Sequence, residues 1–316
     1  MKNKMKFAVA LVAGLASSQA LAWPDRPVTM IVANAPGGPV DIVVRLIAKE
    51  LEERWKQPIV IDNKVGGSGM VAARTLARSE PDGYTLGTIF GAYYTTLPFV
   101  TDVQVDPVKD LDAVTILAKT PFVYVVNQAS PYQTWQDVVA DAKRREITVA
   151  SYSIGTAFHL SWEQTARAAG IKALYAPASA ASKTHTDLVS GQADIGLDAL
   201  SSAKGMIDAG RLRAIAVTGN TRLAVLPDTP SLTEQGMPDD IADPWFAVSA
   251  PKGTPRERIE QIQQDIRAVL SSDSLRERLA SMGMVPAGST PAEMLETIER
   301  EQAMMAPLVK ELDIRL

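Results

Sequence analysis

Residues 29–41 read T-M-I-V-A-N-A-P-G-G-P-V-D, and no other stretch constrains the fold as tightly. Residues 29–33 form a short apolar run rich in β-branched side chains, the pattern of a strand buried on both faces. Ala35, Pro36, Gly37 and Gly38 interrupt it. From Pro39 the spacing predicts an amphipathic helix, with Val40, Val44, Ile47, Leu51 and Trp55 on one stripe and Arg45, Lys49, Glu52 and Glu53 off it. Pro39 suits the first helical turn, where a backbone N–H has no intrahelical partner to lose. Strand, glycine turn and helix is also how α/β folds build small-ligand sites, because N–H groups and the positive end of the helix dipole point above the turn. Two readings stand side by side. Gly37 and Gly38 either serve only the turn, or they let a ligand approach the backbone.

The alternation continues along the chain. Residues 58–61 are a predicted strand, 64–69 a second glycine turn, and a helix follows through Arg78. After a turn at 81–83 comes a strand over 84–89, ending in a polar, aromatic stretch at 90–96. This β-α-β-α-β order with short connections predicts a parallel sheet with covered faces. Strands over 114–118 and 122–126 are separated by Pro121. Thr134 is expected to cap a helix running to about Arg145, with Asp137 at its third position. A second β/α unit follows: strands at 147–150, 173–175, 195–198 and 213–217, helices at 157–169, to about Ser190, and at 203–209. Small-residue loops lie at 151–156 and 177–182. Residues 226–238, rich in Pro and Asp, read as a linker. A strand over 245–250 and helices over 255–271, 273–282 and 291–312 complete the chain. The predicted class is α/β in two lobes, each a β-sheet flanked by helices. Residues 23–120 and 226–316 are assigned to lobe 1 and 121–225 to lobe 2, with a ligand cleft between them.

The 316 residues allow one or two domains. A formal net charge of -4 argues against nucleic acid or an anionic membrane surface as partner. Lys2, Lys4 and Lys6, an apolar run over 7–16 and Ala20-Leu21-Ala22 before Trp23 have the form of a secretory signal peptide, residues 1–22. Its apolar run is too short for an anchor helix. Export to the periplasm is therefore expected. The chain has no Cys, so disulfides, thiol nucleophiles and thiolate metal sites are ruled out.

Catalytic and cofactor motifs largely fail. Gly67-Ser68-Gly69-Met70-Val71-Ala72 fits G-x-G-x-x-A, but the next strand ends in Phe90-Gly91 rather than in the acid a dinucleotide needs. No phosphate loop, serine elbow or H-E-x-x-H is present. The two histidines, His159 and His185, lie in separate segments. His159 reads as a packing or helix-start residue, and Asp41 as a carboxylate stabilising a helix N-terminus by ~0.3–1 kcal/mol. No nucleophile has a base, so no catalytic residue, metal site or cofactor is expected. The loops at 35–39, 151–156 and 177–182 each carry small residues ahead of a helix and contain no Arg or Lys. A carboxylate there would be held by N–H groups, hydroxyls and helix dipoles.

An ordered set of motifs sharpens this. W-P-D-R-P-V at 23–28, A-P-G-G-P-V-D at 35–41, I-D-N-K-V-G-G-S-G-M at 61–70 and P-D-G-Y-T-L at 81–86 open the series. S-I-G-T-A-F-H-L at 153–160, D-L-V-S-G-Q-A-D-I at 187–195, A-G-R-L-R-A-I-A-V-T at 209–218, L-P-D-T-P-S-L-T-E-Q-G at 226–236 and S-A-P-K-G-T-P at 249–255 close it. Over essentially the whole chain after residue 22 the sequence resembles the periplasmic substrate-binding proteins of tripartite tricarboxylate transporters, the Bug family. The resemblance implies a two-lobed periplasmic binding protein fold, type II-like, closing over a small carboxylate. It implies that membrane components of such a transporter are the partner, and that the protein is a monomer. The ligand-holding role maps to Ala35, Pro36, Gly37, Gly38 and Asp41 in the first turn, with Phe90 and Tyr93 nearby. In the second lobe it maps to Ser153, Gly155, Thr156 and His159, to Pro177, Ala178 and Ser179, and to Asp198. Two departures touch the ligand: Asn34 and Pro36 alter the usual P-F-x-A-G-G, and Pro177-Ala178-Ser179-Ala180 replaces P-Y-K-G. A signalling receptor as partner, or an exported enzyme, are the alternative functions.

Overall fold

The computed structural model describes residues 23–315 apart from positions 153, 155, 179 and 239–242. The expected signal peptide and three candidate site residues, Ser153, Gly155 and Ser179, lie outside the described residues.

In chain order the first part contains β1 (Val28–Val32), α1 (Pro39–Trp55), β2 (Ile59–Asn63), α2 (Met70–Ala77), β3 (Thr85–Phe90), α3 (Gly91–Thr95), α4 (Leu97–Val100) and β4 (Leu111–Lys119). The middle contains β5 (Phe122–Asn127), α5 (Trp135–Ala142), β6 (Ile147–Tyr152), α6 (Ala157–Ala169), β7 (Ala173–Ala178), α7 (Ala181–Val189), β8 (Ile195–Ala199), α8 (Leu200–Asp208) and β9 (Leu212–Val217). The last part contains β10 (Trp245–Pro251), α9 (Arg256–Leu270), α10 (Asp273–Ser281), β11 (Val285–Pro286) and α11 (Pro291–Glu311).

Two sheets result, one in the order β11-β4-β10-β3-β1-β2 and one in the order β7-β6-β8-β5-β9. In the first, β1 lies parallel to β2 and β3, as the alternation predicts, while β10 runs antiparallel between β3 and β4. In the second, β6 is parallel to β7 and β8, and β5 is antiparallel to β8 and β9. The reversed strands have a common cause. β4 leaves the first sheet at its C-terminal end, and β5 enters the second sheet directly after Thr120 and Pro121. β9 leaves the second sheet the same way and β10 re-enters the first. A strand that enters from the side where its neighbours end must run against them. The C-terminal strand ends of both sheets therefore face one cleft, where ligands of open α/β sheets bind.

Period-2 alternation assigns each strand's side chains to two cores. In β1, Val28, Met30 and Val32 face a core with α1, α9 and α10, while Ile31 joins one with α2, α3, α4 and α11. In β5, Phe122, Tyr124 and Val126 face one core and Val123 and Val125 the other. Both sheets are thus covered on both faces, which explains their apolar, β-branched runs.

The α1 stripe is buried as its spacing predicts, from Val40 to Trp55. The helix stops at Lys56 in the left-handed region (φ 54), whose N–H donates to the Glu52 carbonyl, with Pro58 soon after. The Trp55 indole N–H reaches Asp265 on α9 at 2.8 Å. Thr134 and Asp137 form the expected capping box on α5. Two expectations change. The stretch at 90–96 folds into α3, which packs its tyrosines into the core. Residues 226–238 are not a free linker: Ser231 bridges to Val217, Leu232 and Met237 join a core of the second sheet, and the Gln235 side chain accepts from the Trp135 N–H at 2.8 Å. Apolar side chains spaced between the prolines outweighed the Pro/Asp composition.

Candidate functional site

At the cleft the two crossings of the chain are tied together. The Thr120 N–H donates to the Pro244 carbonyl at 2.7 Å, and the Phe122 N–H to Thr218 Oγ1 at 2.8 Å. Beside them opens a cavity of about 500 Å³ lined from both sheets. Asn34, Pro39 and Val40 contribute from the first loop and α1, and Phe90 and Gly91 from the end of β3. Ala157, Leu160 and Gln164 come from α6, Leu200 and Ser201 from α8, Trp245 and Phe246 from β10, and Glu301 and Met305 from α11. Phe158 extends this wall outward, stacked on Phe122 at 4.0 Å and against Tyr152 at 4.2 Å. An apolar-walled space of this size between two lobes suits a small organic molecule.

The first loop flanks the cavity, but the N–H groups of its two glycines are already engaged. The Gly37 N–H donates to Asp41 Oδ2 at 2.8 Å, and the Gly38 N–H to the Ala35 carbonyl at 3.0 Å. Both N–H groups expected to meet a ligand are thus consumed in the turn, because the buried Asp41 at the start of α1 demands donors of its own. Arg45 and Asn63 supply two more, at 2.9 and 2.8 Å, and Asn63 also donates to the Asn34 carbonyl at 2.8 Å. Burial would raise the Asp41 carboxyl, but the hydrogen bonds from Arg45, Asn63 and Gly37 outweigh it and hold its pKa at about 2. Asp41 is a fully ionised buckle for the loop. Gly37 needs its glycine, since it sits at φ 79. Gly38 does not need positive φ; a Cβ there would strike the Asn34 side chain and come within 3.1 Å of the Ala35 carbonyl. Neither Ala35 nor Pro36 lines the cavity.

Among the other sequence-derived residues, Phe90 lines the cavity and Tyr93 does not. Tyr93 is buried in the core with its hydroxyl on the Val105 carbonyl at 2.8 Å, and burial pushes that hydroxyl up to about 12. Its place in α3 rather than in an open loop turns it inward. Thr156 caps α6, its Oγ1 3.4 Å from the His159 N–H. His159 is buried against Tyr175 at 4.7 Å, and burial pushes its imidazole pKa down. It lies 3.7 Å from Glu163, whose carboxyl burial raises. Neither Thr156 nor His159 lines the cavity, although their neighbours Ala157 and Leu160 do. Pro177 and Ala178 belong to β7 rather than to a loop, because pairing with β6 continues to Tyr152↔Ala178. Asp198 is fully buried one residue before Ala199 at the cavity wall. Its carboxyl is already satisfied by the Tyr152 hydroxyl at 2.8 Å, His185 Nε2 at 2.7 Å and the Ala199 N–H at 2.7 Å. Neither histidine is alone: His159 lies near Glu163 one turn along α6, and His185 on α7 is paired with Asp198 on β8.

Glu301, Trp245, Gln164 and Asp243 were not anticipated. Trp245 Nε1 donates to both Glu301 oxygens, at 2.9 and 3.0 Å, and stacks on Tyr94 at 5.5 Å. A signal for Glu301 existed: it occupies a core position in the stripe Met294, Ile298, Glu301, Met305, Leu308. Among the described residues no His, Asp and Glu gather as a metal site, and no helix is long and apolar enough to cross a membrane.

Two α/β lobes with the C-terminal strand ends facing a shared cavity define the class of periplasmic binding proteins. Comparison with known proteins narrows it. Residues 43–314 match the family model described as the tripartite tricarboxylate transporter family receptor. Protein BugT of Bordetella pertussis is 29% identical over 298 residues, covering 93% of this chain and 91% of its own. The solved structure of R. palustris Rpa4515 with adipate is 31% identical with a TM-score of 0.72, covering 93% of this chain and 99% of that one. The periplasmic binding protein BugD is 25% identical with a TM-score of 0.67, again over 93% and 99%. The chain belongs to the tripartite tricarboxylate transporter receptor family, as the ordered motifs implied.

Proposed function

We propose that this chain captures a small organic carboxylate in the cavity between its two lobes and delivers it to the membrane components of a tripartite tricarboxylate transporter. The observation that carries this is a cavity of about 500 Å³ at the facing strand ends of a receptor-family chain, lined by both lobes. The adipate in the related R. palustris structure supports a carboxylate as ligand. We draw the lobes at 23–120 with 226–316, and at 121–225, with 226–238 riding on the second. The protein works as an exported monomer in the periplasm, freed of residues 1–22, and as a binder rather than an enzyme. Ala35–Asp41, Thr156 and His159 act as the rim that positions the ligand. Ser153, Gly155 and Ser179 are assigned to ligand binding on the sequence resemblance alone.

A thermal-shift screen of mono- and dicarboxylic acids tests it. A ligand at a hundred times its Kd adds ~2.7 kcal/mol to stability. No shift with any organic acid refutes carboxylate capture, and turnover of a bound acid refutes the binder reading.

A further inference from the structure

The cavity's charge pattern is unlike that of a dicarboxylate site. Among the described lining residues there are two acids, Asp243 and Glu301, and neither Lys nor Arg. Glu301 is buried, 5% exposed, and faces the cavity from α11. Among the described residues its two oxygens share a single donor, the Trp245 indole. A carboxylate offers about four acceptor sites, so most of its capacity is unmet. On α6, which also lines the cavity, both the Nε2 and Oε1 atoms of Gln164 are buried with no partner among the described residues. Buried polar groups left in this state cost stability until something hydrogen-bonds them. With Glu301 ionised, a second carboxylate brought here would meet it as a like charge, and no Lys or Arg among the described lining residues could pair with the newcomer. A group that donates N–H bonds would satisfy Glu301, and the Gln164 carbonyl is a second acceptor lining the same cavity.

We infer that Glu301 is a specificity-determining residue that receives a nitrogen donor, an ammonium or a primary amide, at the far end of a ligand whose other end is a carboxylate. This rests on the carboxylate-binding reading above and narrows its substrate class to ω-amino and ω-amide acids. The groups that bear on Glu301 are Arg300 on its own helix, Lys119 on β4, Asp243 ahead of β10 and the Trp245 N–H. Burial dominates among them and pushes its carboxyl up to about 7, so it is ionised above neutrality.

The test is calorimetry on the purified chain at about pH 8, with dicarboxylates of four to six carbons set against their matched ω-amide and ω-amino acids. The amide or amino acid is expected to bind at least about tenfold more tightly than the dicarboxylate of equal length. Glu301→Gln keeps an acceptor for Trp245 and removes the charge, so it should bring the pair to within about threefold of each other. The ranking on the unmodified chain needs no variant and stands if Glu301→Gln does not fold. A dicarboxylate bound as tightly as its amide partner overturns the inference and leaves carboxylate capture intact. A donor preference unchanged in a folded Glu301→Gln overturns the role of Glu301. Failure of every acid to bind overturns the carboxylate reading and this inference with it.

Discussion

Replacing Asp41 with Asn keeps the side chain's shape and removes the charge on which the first loop is fastened. Asp41 is 1% exposed and accepts from Gly37, Arg45 and Asn63. Its pKa is held at about 2 against an ordinary value of 3.8. At about 1.4 kcal/mol for each pH unit of difference, the ionised group contributes about 2 kcal/mol of folding stability at neutral pH, an upper figure because Arg45 is half exposed to solvent. The folded value is the depressed one. The contribution is therefore fully present above the unfolded value, and it is lost as pH falls from about 4 through about 2. About half remains near pH 3. Urea unfolding of the native chain and of Asp41→Asn between about pH 3 and 7 measures this. The gap between them should be constant near neutrality and close on the acid side. Parallel stability curves across the whole range would show that Asp41 gains nothing from its charge. Because the loop carries Asn34 and Pro39 to the cavity wall, the variant should also bind ligand more weakly at neutral pH, which calorimetry on the folded variant reads.

Gly38→Val should reduce affinity strongly while the fold persists, since the new side chain displaces Asn34 from the cavity mouth and asks only a small shift of the Ala35 carbonyl; unchanged affinity in the folded fraction would make the glycine a turn residue only. Asp198→Ala leaves the Tyr152 hydroxyl and His185 without their buried acceptor and should cost on the order of 3 kcal/mol in urea unfolding, whereas a loss below about 1 kcal/mol would mean that the pair is dispensable. Small-angle scattering should show a smaller radius of gyration with bound ligand, as the lobes close about the crossings near Thr120 and Pro244; no change at saturation would count against hinge closure.

The local parts of this fold were readable because they obey periodic rules. The α1 stripe, the Thr134 capping box and the parallel β1-β2-β3 core follow from spacing and end residues alone. The first loop shows where such reading fails. The string A-P-G-G-P announces a turn, but nothing in it tells that the Gly37 N–H goes to Asp41, or that Asn63 reaches in from another strand. Tyr93 failed for a related reason: an aromatic residue just past a strand end suits a ligand wall or a core equally well, and the choice was made by the fold of α3. Glu301 and Trp245 enter the cavity only because the last part of the chain returns to the first sheet. Their pairing is set by topology, and only the acid in an apolar stripe hints at it.

The insertion of β10 between β3 and β4 also bears on how the chain reaches its native state. The first sheet cannot complete its middle until Trp245 pairs with Lys119, and α11 covers it later still. All five strands of the second sheet are contiguous in sequence and lie entirely within that gap. Pairings so distant along the chain are slow to form, and they leave the early half of the first sheet with an open edge while synthesis continues. If the chain is exported as proposed, such late closure favours its passage unfolded through a membrane. The N-terminal half remains unable to lock into a finished domain until the C-terminal helix is available to seal it.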